Sequence, residues 1–232
     1  MTLIHADTKL SDIVIADPTT VTVLNRFGIT LGVGDLTVAR ACEKQQLDRE
    51  FFTTILNTYV HADYFPQRIL ASFSAATIVD YLRKTNDYYA QFQIPNIERH
   101  FGLLINKSES ANSNLTVMSR FFSEVKHELL DRIADDRTRW FPEILTLEAN
   151  APERPDTLVS TFDEGSDTIE DKLNDLISMF VIHLKGDYDL NLCQAVLIAL
   201  HNLRKDIAQN DRIRNRILAP IVDSLAKHQP RS

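Results

Sequence analysis

The sequence predicts an all-α protein: a small helical N-terminal domain followed by an up-down-up-down antiparallel four-helix bundle. Apolar residues recur at three-to-four spacing over long stretches, and the connections between those stretches are short. With 6 Gly and 8 Pro among 232 residues, little is left for a fold rich in tight turns. The composition, 44% hydrophobic and 25% charged with a formal net charge of −7, supplies a real core and excludes general disorder. No apolar run approaches the ~20 residues that span a bilayer, and the opening Met1 to Asp7 lacks a basic region followed by an apolar one, so no membrane partner and a cytoplasmic location are expected. An acidic balance speaks against nucleic acid as the main partner, because phosphate binding needs clustered positive charge.

Residues 1–60 form the small helical domain. Leu10 to Phe27 carries Ile13, Val14, Val21, Val23 and Leu24, and Asp17-Pro18-Thr19-Thr20 stops one helix and starts another. Gly28, Gly32 and Gly34 mark a loop, after which Asp35 to Cys42 opens a helix and Asp48 to Tyr59 makes the next. Residues 61–75, with Pro66, lack a sustained period and act as a linker. Residues 76–228 hold the bundle. Its first seam is Ile78, Leu82, Asn86, Tyr89, Gln93 and Ile97; its second is Leu115, Met118, Phe122, Val125 and Leu129, then Arg132 and Asp136, with Trp140-Phe141-Pro142 closing the segment. Asn150 to Asp156 is a linker. The third seam is Phe162, Ser166, Ile169, Leu173, Leu176 and Phe180, and Gly186 to Asp189 is a turn. The last is Leu192, Val196, Ala199, Leu203 and Ile207, then Asn210 and Arg214, then Ile217, Ile221 and Leu225.

Seam positions point inward, so the polar residues there, Asn86, Arg132, Asp136, Ser166, Asn210 and Arg214, carry the information. With alternating helix directions and a ~1.5 Å rise per residue, all six fall in one layer toward one end of the bundle. One residue from each of two helices and an i, i+4 pair from each of the other two is how a bundle holds two metal ions. The residue types differ from that chemistry: Arg132 and Arg214 have no lone pair to donate, and Asn86, Ser166 and Asn210 are weak ligands, leaving Asp136.

This organisation resembles the iron-sulfur cluster repair di-iron family (ScdA/YtfE-like), over nearly the whole chain. Phe27-Gly28-Ile29 and Ala41-Cys42-Glu43 look like motifs of its N-terminal domain. Glu128-Leu129 leading to Trp140-Phe141-Pro142, Phe162 to Leu173, and Ile217-Leu218-Ala219-Pro220 look like its hemerythrin-like bundle. Arg26 to Asp35 with Asp80 to Tyr89 is similar to the form common in Bacteroidetes members. The resemblance implies a hemerythrin-like fold, di-iron binding and repair of nitrosative damage. Position by position, the family's first-helix His corresponds to Asn86, the His and Glu of helix two to Arg132 and Asp136, the third-helix His to Ser166, and the last His and Glu to Asn210 and Arg214. The adjacent Cys pair of its N-terminal domain corresponds to Gly32 and Val33.

The expectation is therefore a degenerate member with no metal and no cofactor, in which Arg132, Asp136 and Arg214 form a polar core network with Asn86, Ser166 and Asn210, guanidinium supplying the positive charge of iron. An excess of guanidinium over carboxylate there leaves room for a small anion. The alternatives are that the charged groups reach water at a bundle end, or that some of His5, His61, His100, His127, His183, His201 and His228 rebuild a metal site. In Arg204 to Arg216 the interleaved Asp206 and Asp211 suggest a solvated face rather than a nucleic-acid surface. Cys42 and Cys193 have neither the spacing of a zinc site nor a neighbouring His, and read as structural. The function expected is non-catalytic: a regulatory or protein-interaction module linked to iron-sulfur repair and nitrosative stress, with a protein partner and compatible with a homodimer. The alternative is a working di-iron repair or NO/oxygen-responsive protein with altered ligands.

Overall fold

In the computed structural model, residues 2–108, 113–151 and 168–227 are described. Every regular element among them is helical, and the only β feature there is an isolated antiparallel bridge from Lys9 to Thr37. No helix among them is long and apolar enough to cross a membrane. Ser166 and Phe162 of the third seam, His228, and 152–156 of the second linker lie outside the described residues.

The N-terminal part holds α1 (Leu10–Ala16), a 3-10 turn (Pro18–Thr20), α2 (Val21–Arg26), α3 (Val38–Gln45) and α4 (Arg49–Val60). Short polar side chains set three of these starts, at the 3-10 turn, α3 and α4, by satisfying free N–H groups. Asp17 accepts from Thr19 N at 3.0 Å, and Asp48 from Phe51 N at 2.8 Å. Asn57 of α4 clamps the chain start, accepting from Ile4 N at 2.8 Å and donating to Ile4 O at 2.9 Å. The stretch read as a linker holds a further helix, α5 (Gln67–Ser72), whose Leu70 is fully buried.

The rest of the described chain forms long rods, three of them interrupted by a π-helical turn and one ended by such a turn. The first is α6 (Ala75–Tyr88), Tyr89–Gln93, α7 (Ile94–Lys107); the second is α8 (Ser113–Asp135), Asp136–Trp140, α9 (Phe141–Ala149). The third is α10 (Thr168–Ser178) with Met179–His183, and the last is α11 (Leu190–Ile213), Arg214–Leu218, α12 (Ala219–Lys227). The helix does not close at Trp140-Phe141-Pro142 but runs on to Ala149. A proline removes an N–H and its ring strikes the carbonyl four residues back; the wider π turn just before it relieves both. Pro95 and Pro220 sit at the same place after their own π turns. Among the rods, α7 packs on α8 and α11, and α10 packs on α8 and α11, while α6 and α12 pack on α9.

Two apolar cores result. One joins Leu10, Val23, Phe52 and other N-terminal residues to Ile78, Leu82, Phe141, Ile144, Ile213, Ile217 and Leu225. The other holds Tyr89, Ile97, Phe101, Leu115, Phe122, Leu129, Leu173, Phe180, Val196 and Ile207. Along the first rod the change of core falls between Leu82 and Tyr89, along the second between Ile133 and Phe141, and along the last between Ile207 and Ile213. At those levels Asn86, Asp136, Asp206, Gln209, Asn210 and Asp211 are buried, so a polar layer separates the two cores.

Candidate functional site: a polar layer between two cores

Three of the six seam residues meet directly. Asp136, at the start of its π turn, accepts a hydrogen bond from Asn86 Nδ2 at 2.9 Å and from Arg214 Nη1 at 2.6 Å, both at Oδ2. Its Oδ1 lies 2.6 Å from Arg214 Nη2 in an ionic contact without hydrogen-bonding angles. Asp136 is buried, so the reading in which it extends to water is corrected: the polar layer lies between two cores rather than at a frayed end. The Arg214 side chain is 19% exposed and lies over the indole of Trp140, with Cζ 3.9 Å from the ring centroid.

The other described members find different partners. Arg132 pairs with Asp211 at 3.0 Å. Asn210 donates through Nδ2 to Tyr89 Oη at 2.9 Å, to Asp206 O at 2.7 Å and to Asp206 Oδ1 at 3.0 Å, while its own Oδ1 is buried without a hydrogen bond.

Asp206 in turn holds Arg26, which enters from α2. The guanidinium makes a two-pronged contact, Nη1 to Oδ1 at 2.9 Å and Nη2 to Oδ2, and Nη1 also donates to Tyr81 Oη at 3.3 Å. The two side chains are 1% and 4% exposed. The rings of Tyr81, Tyr88 and Tyr89 surround the cation, with Cζ 5.9, 5.2 and 5.6 Å from their centroids. Burial works against the charge on Arg26, but Asp206 and the two buried tyrosines more than offset it and hold the group well above its ordinary value. Burial first, and the Asp206 carboxylate second, push the phenols of Tyr81, Tyr88 and Tyr89 up.

Arg26, Asp206, Asp211 and the tyrosine cage were missed by sequence reasoning. Asp206 and Asp211 are not on a solvated face: both are buried and each holds a guanidinium. A signal existed, since Asp206 stands three residues after Leu203 and four before Asn210, on the seam itself. Nothing local marks Arg26, which is 180 positions from its carboxylate. With Asp136, Asp206 and Asp211 set against Arg214, Arg26 and Arg132, the described residues of the layer show no excess of guanidinium, the ground for expecting a small anion there.

Among the described residues the donor set does not suit a di-iron centre. Ferric or ferrous ions need imidazole or carboxylate lone pairs. Both oxygens of Asp136 face Arg214, Arg132 and Arg214 offer only N–H donors, and Asn210 turns its NH2 inward. Among the described residues no group of three or more His, Cys, Asp or Glu is placed to hold a metal ion. His5, His127, His183 and His201 are exposed, and His100 Nδ1 is 2.7 Å from Asn96 O in its own helix. Cys42 and Cys193 are buried free thiols whose ionisation burial disfavours. No protein-family model matches the chain, and no curated protein shows significant similarity to it.

Proposed function

We propose that this chain is a metal-free, hemerythrin-like four-helix bundle with a small N-terminal domain, a degenerate relative of the iron-sulfur cluster repair di-iron family that works as a regulatory or protein-interaction module. The supporting observation is the Asn86–Asp136–Arg214 contact. Of three positions that match ligand positions in the resemblance, Arg214 neutralises Asp136 and Asn86 donates a hydrogen bond to it, so they satisfy one another instead of presenting lone pairs to a metal. A guanidinium paired with a carboxylate in a largely desolvated layer is a fixed ion pair, with no net charge to offer a ligand and no redox chemistry. Exposed Val181, Ile182 and Leu190 flank the turn from α10 to α11, at 72%, 66% and 73%, and offer an apolar contact for a protein partner.

The test is iron analysis with an absorption spectrum after expression in iron-replete medium. The expected result is less than about a tenth of an iron per chain, in place of the ~2 of a loaded two-metal site, and no ligand-to-metal band. Stoichiometric iron with such a band would establish the competing reading, a di-iron protein with altered ligands.

A further inference from the structure

The Arg26 contact is built like a binding site. Its walls come from two elements distant in sequence from Arg26: Tyr81 and Tyr88 of α6 with Tyr89 of the adjoining π turn, and Asp206 with Asn210 of α11. The floor is a carboxylate set square to a guanidinium, and the sides are three aromatic rings. Two buried polar atoms, Arg26 Nε and Asn210 Oδ1, have no hydrogen-bond partner. A planar fork that donates two N–H bonds to one carboxylate while standing among aromatic rings is the geometry of guanidinium, and an ammonium ion cannot reproduce it.

We propose that α6 and α11 carry a guanidinium-binding cage, Tyr81, Tyr88, Tyr89 and Asp206, and that Arg26 is its tethered resident ligand. The cage takes alkylguanidinium cations as a class, and the N-terminal domain is held in place by supplying one in cis. A second tie joins the same parts: Lys205 of α11 donates to Asp17 at 2.8 Å and to Thr19 Oγ1 at 3.0 Å, just before the start of α2. The four cage residues, Asp206 and the tyrosines, are not among the positions matching metal ligands; of the residues around the cage only Asn210 is, so the rescue experiment is read separately from iron analysis.

The test is chemical rescue. Arg26→Ala empties the cage and lowers the melting temperature. Guanidinium or methylguanidinium chloride, kept below about 50 mM so that bulk denaturation is negligible, raises it again in a saturable way, by about 3 to 5 °C at ten times the dissociation constant. Ethylammonium chloride at equal ionic strength does not, wild type gains nothing, and the Arg26→Ala/Asp206→Asn double variant is not rescued. Absence of rescue, equal rescue by ethylammonium, or an equal gain in wild type overturns the proposal.

Should Arg26→Ala not fold, Arg26→Lys keeps the charge and removes the fork; a Lys variant as stable as wild type overturns it. In wild type, the Arg26 Nε–H should exchange with solvent at least about a hundredfold more slowly than that of an exposed arginine, as a closed cage requires. Exchange at the exposed rate overturns the proposal as well.

Discussion

At the level of single residues, the polar layer makes Asp136 a costly side chain to remove. Its loss leaves the Arg214 guanidinium unpaired in a largely desolvated place and strips Asn86 Nδ2 of its acceptor. Asp136→Ala is expected to destabilise by about 3 kcal/mol in urea unfolding, at the lower end of what breaking a buried pair costs, because Arg214 keeps its stack on Trp140 and some access to water. Trp140 is the single tryptophan of the chain, so it reports on the same place. Arg214→Ala uncovers its ring face, and acrylamide quenching of tryptophan fluorescence should rise; unchanged quenching would mean the stack does not persist in solution. Asn86, Arg132, Asp136, Asn210 and Arg214 were legible because each interrupts an apolar period. Their partners were not, since periodicity says that a residue faces inward but not which charge it meets there. Asp211 faces Arg132 from the other side of the layer, and Arg26 arrives from another part of the chain.

At the level of elements, most of the helices and several of their starts follow from local chemistry, whereas α5 and the π turns do not. Thr37, Asp48, Ser74 and Asp189 each accept from a backbone N–H of the helix they precede. The start of α6 is further held by Glu148 at the end of α9, whose carboxylate accepts from Ala75 N at 2.7 Å and Ala76 N at 2.8 Å. That places a negative charge on the positive end of a helix dipole, so Glu148→Ala should cost about 1 kcal/mol in equilibrium unfolding and Glu148→Gln less. Pro142 looked like a stop because an interior proline normally ends a helix. The preceding π turn, Asp136–Trp140, opens the ladder and lets the helix pass. The same turn begins at the buried carboxylate, as Arg214–Leu218 begins at its guanidinium, so the two irregular turns face one another through the Asp136–Arg214 pair.

At the level of the whole molecule, the N-terminal part is integral to the packing. One apolar core runs from Leu10 and Phe52 into Ile144, Ile217 and Leu225, and the Arg26 and Lys205 ion pairs cross the same boundary. Unfolding followed by far-UV circular dichroism and by Trp140 fluorescence should therefore coincide in a single transition; a separate early loss of N-terminal helix would contradict the shared core. Stability should also fall on acidification. Burial pushes Asp17 up, but hydrogen bonds from Lys205 and Thr19 more than compensate, and hydrogen bonds from Lys9 and Arg139 hold Asp35 and Asp135 down. A folded-state value below the unfolded one stabilises fully above the unfolded carboxylate value of about 4, and that contribution is lost as pH falls through the folded value. The melting temperature should thus drop below about pH 4 and be level above about pH 5. Helical periods, short polar caps and the inward-facing polar residues are properties of neighbours along the chain, and the sequence by itself determined them. Which carboxylate each guanidinium meets, and that a residue of the second helix completes a layer built mainly by the last, were decided only by tertiary structure. Those contacts join positions up to 180 residues apart, and their energy arises only once surrounding apolar cores exclude water.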